Sequence, residues 1–176
     1  INLFVLIIYL FLNSKNIISN SIFFKNFEEF LSFFFVYTLF FITGVVDDKF
    51  DLNANIKLTL SIIYVLILTL IDPGIQIKSL IFESIPLIIN LSHFKIIFTI
   101  FCFVTFINAL NMFDGINLQV SLYSVFIIIL FLLKINYDLL LVIVLFFLLF
   151  FSTLNYRSKC FLGDGGTLGL GFIFSY

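Results

Sequence analysis

Three short polar clusters interrupt an otherwise apolar sequence, and they hold the side chains that could do chemistry. The first cluster is the acidic pair Asp47-Asp48, and the third is the glycine-rich segment Gly163-Asp164-Gly165. The second cluster has an amide or a carboxylate at every third position: Asn108, Asn111, Asp114 and Asn117. Mg²⁺ prefers oxygen ligands and usually takes one or two carboxylates together with substrate phosphates. The clusters therefore indicate a site for Mg²⁺ and a diphosphate.

The second cluster closes a long apolar run. On a continuing helix its four side chains form a polar stripe along one side. Such a stripe at the end of an apolar helix is costly unless it faces protein, metal, water or substrate. The alternative interpretation is that Asn108 and Asn111 form hydrogen bonds between helices of a membrane bundle.

The third cluster adds features that suit an anion. Glycines such as Gly163 and Gly165 let the backbone approach a ligand closely, and the next helix then presents its free N–H groups to that ligand. The alternatives are a simple turn here and a solvated loop at Asp47 to Asp51. Neither alternative explains why the three clusters occur together.

The composition identifies the class of protein that must position these residues. Of the 176 residues, 62% are hydrophobic and only 11% are charged, and the mean hydropathy is +1.26. These values predict an all-α, polytopic transmembrane helical bundle, with residues 1–176 forming a single integral membrane domain. We expect about five to seven spanning helices. The net charge of -1 gives no indication of a nucleic-acid partner.

The apolar runs define the predicted spans. They are the tail Ile1–Leu12, Phe30–Val46, Ile56–Ile71, Phe94–Leu110, Val120–Leu133 and Leu139–Leu154. The segment Ile75–Leu91 is broken by Lys78, Glu83 and Pro86, and its clean apolar pieces are too short to cross a bilayer. We interpret it as an interfacial excursion with a short strand at Ile75–Phe82.

This layout places the three clusters on one side of the membrane. Two spans separate the acidic pair from Asp114, and two more separate Asp114 from Asp164, so the number of crossings is even each time. The acidic residues also lie at the ends of spans, whereas transporters place ionisable groups near the midplane. The pattern thus favours chemistry at the membrane surface over transport. A transporter or a non-catalytic, degenerate paralogue is the alternative.

Three motifs resemble those of a known enzyme family. They are G-x-x-D-D at Gly44–Asp48, N-A-x-N-M-x-D-G at Asn108–Gly115 and F-x-G-D-x-G-[ST] at Phe161–Thr167. In this order and spacing they resemble the polyprenyl-phosphate N-acetylhexosamine-1-phosphate transferases of glycosyltransferase family 4, which include the phospho-MurNAc-pentapeptide translocase.

The resemblance implies a reaction and its partners. A sugar-1-phosphate would pass from a UDP-sugar to a membrane polyprenyl phosphate, releasing UMP, in peptidoglycan or cell-envelope polysaccharide synthesis. The cofactor would be Mg²⁺ or Mn²⁺. The protein would be a multi-pass protein of the inner (plasma) membrane, embedded in the lipid bilayer with its active face in the cytoplasm. A homodimer is compatible with the family.

The resemblance also implies roles for single residues. Asp47 and Asp48 would be catalytic, one of them as base or as nucleophile. Metal ligation would fall to Asn111, Asp114 and Asp164. The positions implied in substrate binding are Lys57, which suits a phosphate, and Asn108, Asn117, Gly163 and Gly165.

The sequence departs from the family pattern in two respects. The family's second motif usually continues D-G-x-D-G-L-A, but here Asn117 stands in place of the second carboxylate. The family's N-terminal His/Pro/Gly-rich segment and C-terminal His-rich loop are missing from the sequence, which we therefore expect to be a fragment truncated at both ends and inactive by itself. Asp47 to Asp51 also fits the D-D-x-x-D motif of Mg²⁺-dependent membrane prenyltransferases, although a second Asp-rich loop is lacking.

Overall fold

The computed structural model describes residues 24, 27–82, 87–134 and 139–176. The predicted span Ile1–Leu12 lies outside these residues, as do Glu83 and Pro86. Six α-helices are described: α1 (Phe27–Phe50), α2 (Ala54–Ile71), α3 (Lys95–Met112), α4 (Gln119–Lys134), α5 (Leu139–Tyr156) and α6 (Gly163–Ser175). Most of their bounds lie within a few residues of the apolar runs.

Three described segments are long and apolar enough to cross a membrane: Phe27–Phe50, Ala54–Ile71 and Ser92–Met112. The apolar helices Gln119–Lys134 and Leu141–Tyr156 are shorter. Hydrophobic side chains of these helices are widely exposed, as expected for surfaces that face lipid. The prediction of a predominantly α-helical, polytopic membrane protein is confirmed.

Helix α1 is longer than predicted. The sequence predicted a loop at the acidic residues that follow Val46. Instead, Asp47 and Asp48 lie in the last turn of the helix, which continues to Phe50. The Asp47 carboxylate accepts the Leu52 N–H at 2.7 Å, so it ties the helix end to the chain that follows. Asp51 then turns the chain with a φ of 50°. The end of α1 is thus fixed by a hydrogen bond that an apolar run cannot reveal.

Helix α3 is shorter than the polar stripe requires. It ends at Met112, so Asn108 and Asn111 are helical but Asp114 and Asn117 lie in the following loop. The prediction of one continuous stripe was wrong for those last two residues. Gly115 follows Asp114 in a turn-forming Asp-Gly pair, which ends helices readily.

The segment between α2 and α3 contains two short paired strands. Strand β1 (Ser79–Phe82) pairs antiparallel with β2 (Leu87–Asn90), in the register that joins Ser79 to Asn90. The predicted strand begins later than Ile75 because Pro73–Ile75 forms a 3-10 turn, capped by Asp72. The prediction of a short strand is confirmed for Ser79–Phe82, and the interfacial location of the segment stays a prediction.

The chain falls into two compact units. The first unit comprises Phe35–Met112 and Asp164–Tyr176, and the second contains Phe113–Gly163 and the described residues up to Phe34. Each is described separately below. The prediction of a single integral membrane domain stays a prediction.

In the first unit, helices α1 and α6 meet backbone to backbone. A Cβ added to Gly44 would overlap the backbone of Gly165, and one on Gly165 would lie 3.1 Å from Val45. Along the same interface the Phe40 ring stacks on Phe172, with centroids 5.3 Å apart. Small residues let membrane helices approach closely. We call this contact the Gly44–Gly165 crossing, and it sets where the polar ends of both helices lie.

Candidate active site

The first unit brings two of the predicted carboxylates to one lysine. Lys57 Nζ donates to Asp47 Oδ2 at 2.6 Å and to Asp164 Oδ2 at 3.3 Å. The three side chains come from the end of α1, the first turn of α2 and the start of α6. We call this group the Asp47–Lys57–Asp164 cluster. The Asp47 side chain is only 3% exposed, whereas those of Lys57 and Asp164 are 22% and 32% exposed.

Asp48 points to the backbone of α6. Its carboxylate accepts the N–H of Asp164 at 2.8 Å and the N–H of Gly165 at 3.4 Å. The first N–H groups of a helix have no partner within it, and a carboxylate there also interacts well with the helix dipole. Asp48 therefore caps α6. The sequence predicts that these N–H groups are available to bind a ligand. In the structure Asp48 already accepts them, so a ligand would have to displace its carboxylate.

Asp164 lies in an environment that disfavours its charge. Partial burial, and then the neighbouring Asp47 carboxyl group, raise the pKa of Asp164 above its ordinary value, while the Lys57 ammonium opposes the rise. Two carboxylates and one ammonium give the cluster a net charge of about -1 when all three are ionised. The cluster is therefore short of positive charge.

The two amides of α3 make different contacts. Asn111 Oδ1 accepts a hydrogen bond from the Thr167 hydroxyl of α6, one turn beyond Asp164. Asn108 Nδ2 donates to the Val104 carbonyl at 2.8 Å, within its own helix. Asn111 thus forms a hydrogen bond between α3 and α6, as in the alternative interpretation of these amides. The hydrogen bond of Asn108 stays within α3.

The donor set of the first unit fits a hard divalent cation. Within the residues that the structure describes, no three His, Cys, Asp or Glu side chains are grouped so as to hold a metal alone. Mg²⁺ does not need such a cage, because one or two carboxylates and substrate phosphates usually complete its coordination. Asp47 and Asp164 provide two carboxylates that already share one positive charge, that of Lys57.

The second unit holds Asp114 and Asn117, in the loop between α3 and α4. Asn117 Nδ2 donates to Ser158 Oγ at 3.1 Å. Beside this loop lies a pocket of about 220 Å³ whose lining includes residues 114–118, Phe151, Asn155, Phe161 and Leu162. The ring of Phe161 is exposed. The pocket therefore combines aromatic walls with a polar loop.

Asn155 links two segments that line this pocket, and no motif in the sequence marks this residue. The residue is 5% exposed. Its Oδ1 accepts the Leu118 N–H at 2.6 Å and its Nδ2 donates to the Cys160 carbonyl at 2.8 Å. Leu118 has a φ of 71°, which is rare for a bulky residue, so this hydrogen bond supports a strained turn. The sequence signal is a lone amide in the last turn of an apolar helix, and such amides are common.

We expect Asn155→Ala to destabilise the fold by about 1–3 kcal/mol, because it removes two partly buried hydrogen bonds, to the Leu118 N–H and to the Cys160 carbonyl. Thr153→Ala is the matched control: Thr153 is an exposed residue of the same helix whose hydroxyl donates to the Phe150 carbonyl, so its loss should stay within about 0.5 kcal/mol. Denaturation of both variants in mixed micelles measures the difference. Equal stability of Asn155→Ala and the unsubstituted chain would contradict the role assigned to this amide.

Comparison with known proteins adds one match. The model of the family described as "Glycosyl transferase family 4" matches residues 30–176. A search of curated proteins found no match, and neither did a search of solved structures. The matched range includes all three motifs and both carboxylates of the Asp47–Lys57–Asp164 cluster. The chain thus belongs to glycosyl transferase family 4, the polyprenyl-phosphate sugar-1-phosphate transferases.

Proposed function

We propose that this protein transfers an N-acetylhexosamine-1-phosphate from a UDP-sugar to a polyprenyl phosphate at the cytoplasmic face of the plasma membrane. An oxygen of the lipid phosphate forms a bond to the phosphorus that carries the sugar, and UMP leaves with the bridging oxygen. The observation that carries the proposal is the Asp47–Lys57–Asp164 cluster. It lies at helix ends, where a lipid phosphate in the membrane and a water-soluble nucleotide can both arrive.

Phosphoryl transfer needs positioning and charge neutralisation more than covalent chemistry from the protein. In our proposal Asp164 and Asp47 would hold a divalent cation, whose charge would offset that of the diphosphate. Asn111, in the same unit, is a further ligand that the motif suggests, and the metal role implied for Asp114 stays a prediction. Lys57 supplies a second positive charge to the phosphates.

The two members of the acidic pair differ in their surroundings, and this supports different assignments. Asp47 faces Lys57, so we assign it to the reacting phosphates, as the group that orients or deprotonates the lipid phosphate. Asp48 is already hydrogen-bonded to the first turn of α6. We therefore assign Asp48 to positioning Asp164.

The pocket of the second unit supports a nucleotide donor. Ligand pockets combine apolar and aromatic walls with a few polar groups that fix orientation. The exposed ring of Phe161 offers a face on which a base can stack, and the amide of Asn117 offers hydrogen bonds beside it. We assign this pocket to the nucleoside of the UDP-sugar, with the backbone near Gly163 beside it.

The test is a transfer assay that also removes the metal. Membranes that contain the full-length protein, including the family's terminal segments, should release UMP from UDP-GlcNAc when both polyprenyl phosphate and Mg²⁺ are present. EDTA should abolish the release, and excess Mg²⁺ or Mn²⁺ should restore it. The carboxylates are themselves negative, so without a cation they would repel the diphosphate.

Two controls make this result specific. Omission of polyprenyl phosphate separates transfer from hydrolysis of the donor, and UDP-glucose tests the preference for an N-acetyl sugar. UMP release that persists in EDTA would contradict the metal assignment. Release that does not depend on the lipid would contradict the transferase proposal.

A further inference from the structure

We propose that Lys57 is an internal counter-ion that occupies the place of the divalent cation until the cation binds. Lys57 and the cation then compete for the same carboxylate oxygens of Asp47 and Asp164. This inference rests on the proposed function, because it concerns the cation site assigned there. The new element is that Lys57, a residue of the site itself, lowers the affinity of the site for the cation.

The hydrogen bonds of Asp47 carry the first step. Its Oδ1 accepts the Leu52 N–H at 2.7 Å, and its Oδ2 accepts the Lys57 ammonium at 2.6 Å. The side chain is almost fully buried. Both oxygens of Asp47 therefore already accept a hydrogen bond, and Oδ2 is the one whose partner is a side chain and not the backbone.

Asp164 carries the second step. Its Oδ2 lies 3.3 Å from the same ammonium, which is longer than the contact to Asp47. One positive charge thus serves the two carboxylates that would hold a divalent cation. An ammonium brings one charge to this position and Mg²⁺ brings two. The exchange would remove the negative excess of the cluster.

The frame around the cluster does not depend on Lys57. The Gly44–Gly165 crossing holds the backbones of α1 and α6 in contact, and Asp48 caps α6. Loss of the ammonium should therefore leave Asp47 and Asp164 close together but without a counter-charge. Two uncompensated carboxylates bind a cation more tightly than two compensated ones.

This competition predicts that the cation and the diphosphate affect each other's binding. A lysine released from the carboxylates is free to meet the phosphates of the substrate, so the diphosphate removes the competitor that weakens cation binding. By linkage, cation and diphosphate should each raise the affinity of the site for the other. The substrate-free enzyme should then bind cations weakly.

The test measures cation affinity without any substrate. Mn²⁺ is titrated into the full chain in lipid nanodiscs, and free Mn²⁺ is followed by electron paramagnetic resonance. Lys57→Gln should lower the Kd for Mn²⁺ by about tenfold or more, because a unit charge next to the ligands is removed. Lys57→Met is a second neutral variant and should behave alike. Lys57→Arg keeps the charge and should resemble the unsubstituted chain.

Lys49→Gln is the matched control for long-range charge. Lys49 lies at the same end of α1, but its Nζ is placed over the Phe50 ring, 5.4 Å from the centroid. Its removal should leave the Kd for Mn²⁺ nearly unchanged. A similar tightening in Lys49→Gln would mean that only the surface potential matters, and this would overturn the proposal.

The remaining outcomes are also decisive. An unchanged or higher Kd in the neutral variants at position 57 would show that Lys57 does not compete with the cation, whether or not the enzyme transfers sugar-1-phosphate. Absence of Mn²⁺ binding in every variant would contradict the cation site of the proposed function, and the inference with it. The transfer assay, run separately on the same preparations, distinguishes the two failures.

Discussion

Asp164→Asn should lower the rate of UMP release by on the order of 10³-fold while the helices remain folded. The substitution keeps the size of the side chain and the backbone N–H that donates to Asp48, so α6 should begin where it does now. It removes one of the two carboxylates that contact Lys57. The cluster then loses its negative excess and with it the attraction for a divalent cation. Initial rates at saturating UDP-GlcNAc and Mg²⁺ measure the loss.

Asp51→Asn is the matched control, and it separates two interpretations of the same acidic run. Asp51 is exposed and has a φ of 50°, a conformation that asparagine adopts as readily as aspartate. In the transferase proposal Asp51 has no part in the chemistry, and the rate should stay within about twofold, as for ordinary surface substitutions. In a prenyltransferase the D-D-x-x-D motif would need Asp51. Full activity of Asp164→Asn together with loss in Asp51→Asn would refute our assignment.

Gly44→Ala should lower the free energy of unfolding by about 2 kcal/mol or more and reduce transfer activity at the same time. The new Cβ would overlap the backbone of Gly165, which cannot rotate out of the way as a side chain can. Helices α1 and α6 must then move apart. Because Asp47 and Asp164 lie on these two helices, the cluster should be disturbed as well. Denaturation in mixed micelles and the transfer assay measure the two effects.

Gly115→Ala is the control for stability in this experiment. A Cβ at Gly115 would meet nothing within 4 Å. Its effect on the free energy of unfolding should therefore remain within about 0.5 kcal/mol. If Gly44→Ala were as stable as Gly115→Ala, the close approach of α1 and α6 would not be the feature that fixes the site.

The helices could be predicted from apolar runs, and their polar ends could not. The hydropathy pattern identifies the bodies of α1 to α5, since long apolar segments in a membrane protein satisfy their backbone groups as helices. It failed at Asp47, where a side-chain hydrogen bond to Leu52 holds the helix end. The hydropathy pattern failed again at α6, which begins at Gly163. Its glycine-rich start resembles a loop in sequence, but Gly165 packs closely against α1.

The site could be predicted in part for a similar reason. The motifs indicate that Asp47 and Asp164 act together, and the structure joins them through Lys57. The cap that Asp48 forms links residues 116 positions apart, and spacing along the chain carries no signal for such a bond. Asn155 is a further case, because its importance comes from a strained Leu118 that only the backbone geometry reveals.

Because the backbones of Gly44 and Gly165 are in contact, the main chains of α1 and α6 set the distance between the Asp47 and Asp164 carboxylates. Side chains elsewhere in the interface, such as the stacked rings of Phe40 and Phe172, can be exchanged for others of similar bulk without changing how closely the two main chains meet. Drift in the phenylalanine-rich core should therefore alter how firmly the helices hold together more than the spacing of the carboxylates. Substitutions among the lipid-facing and core residues should thus leave the spacing of Asp47 and Asp164 nearly unchanged as long as both glycines are kept.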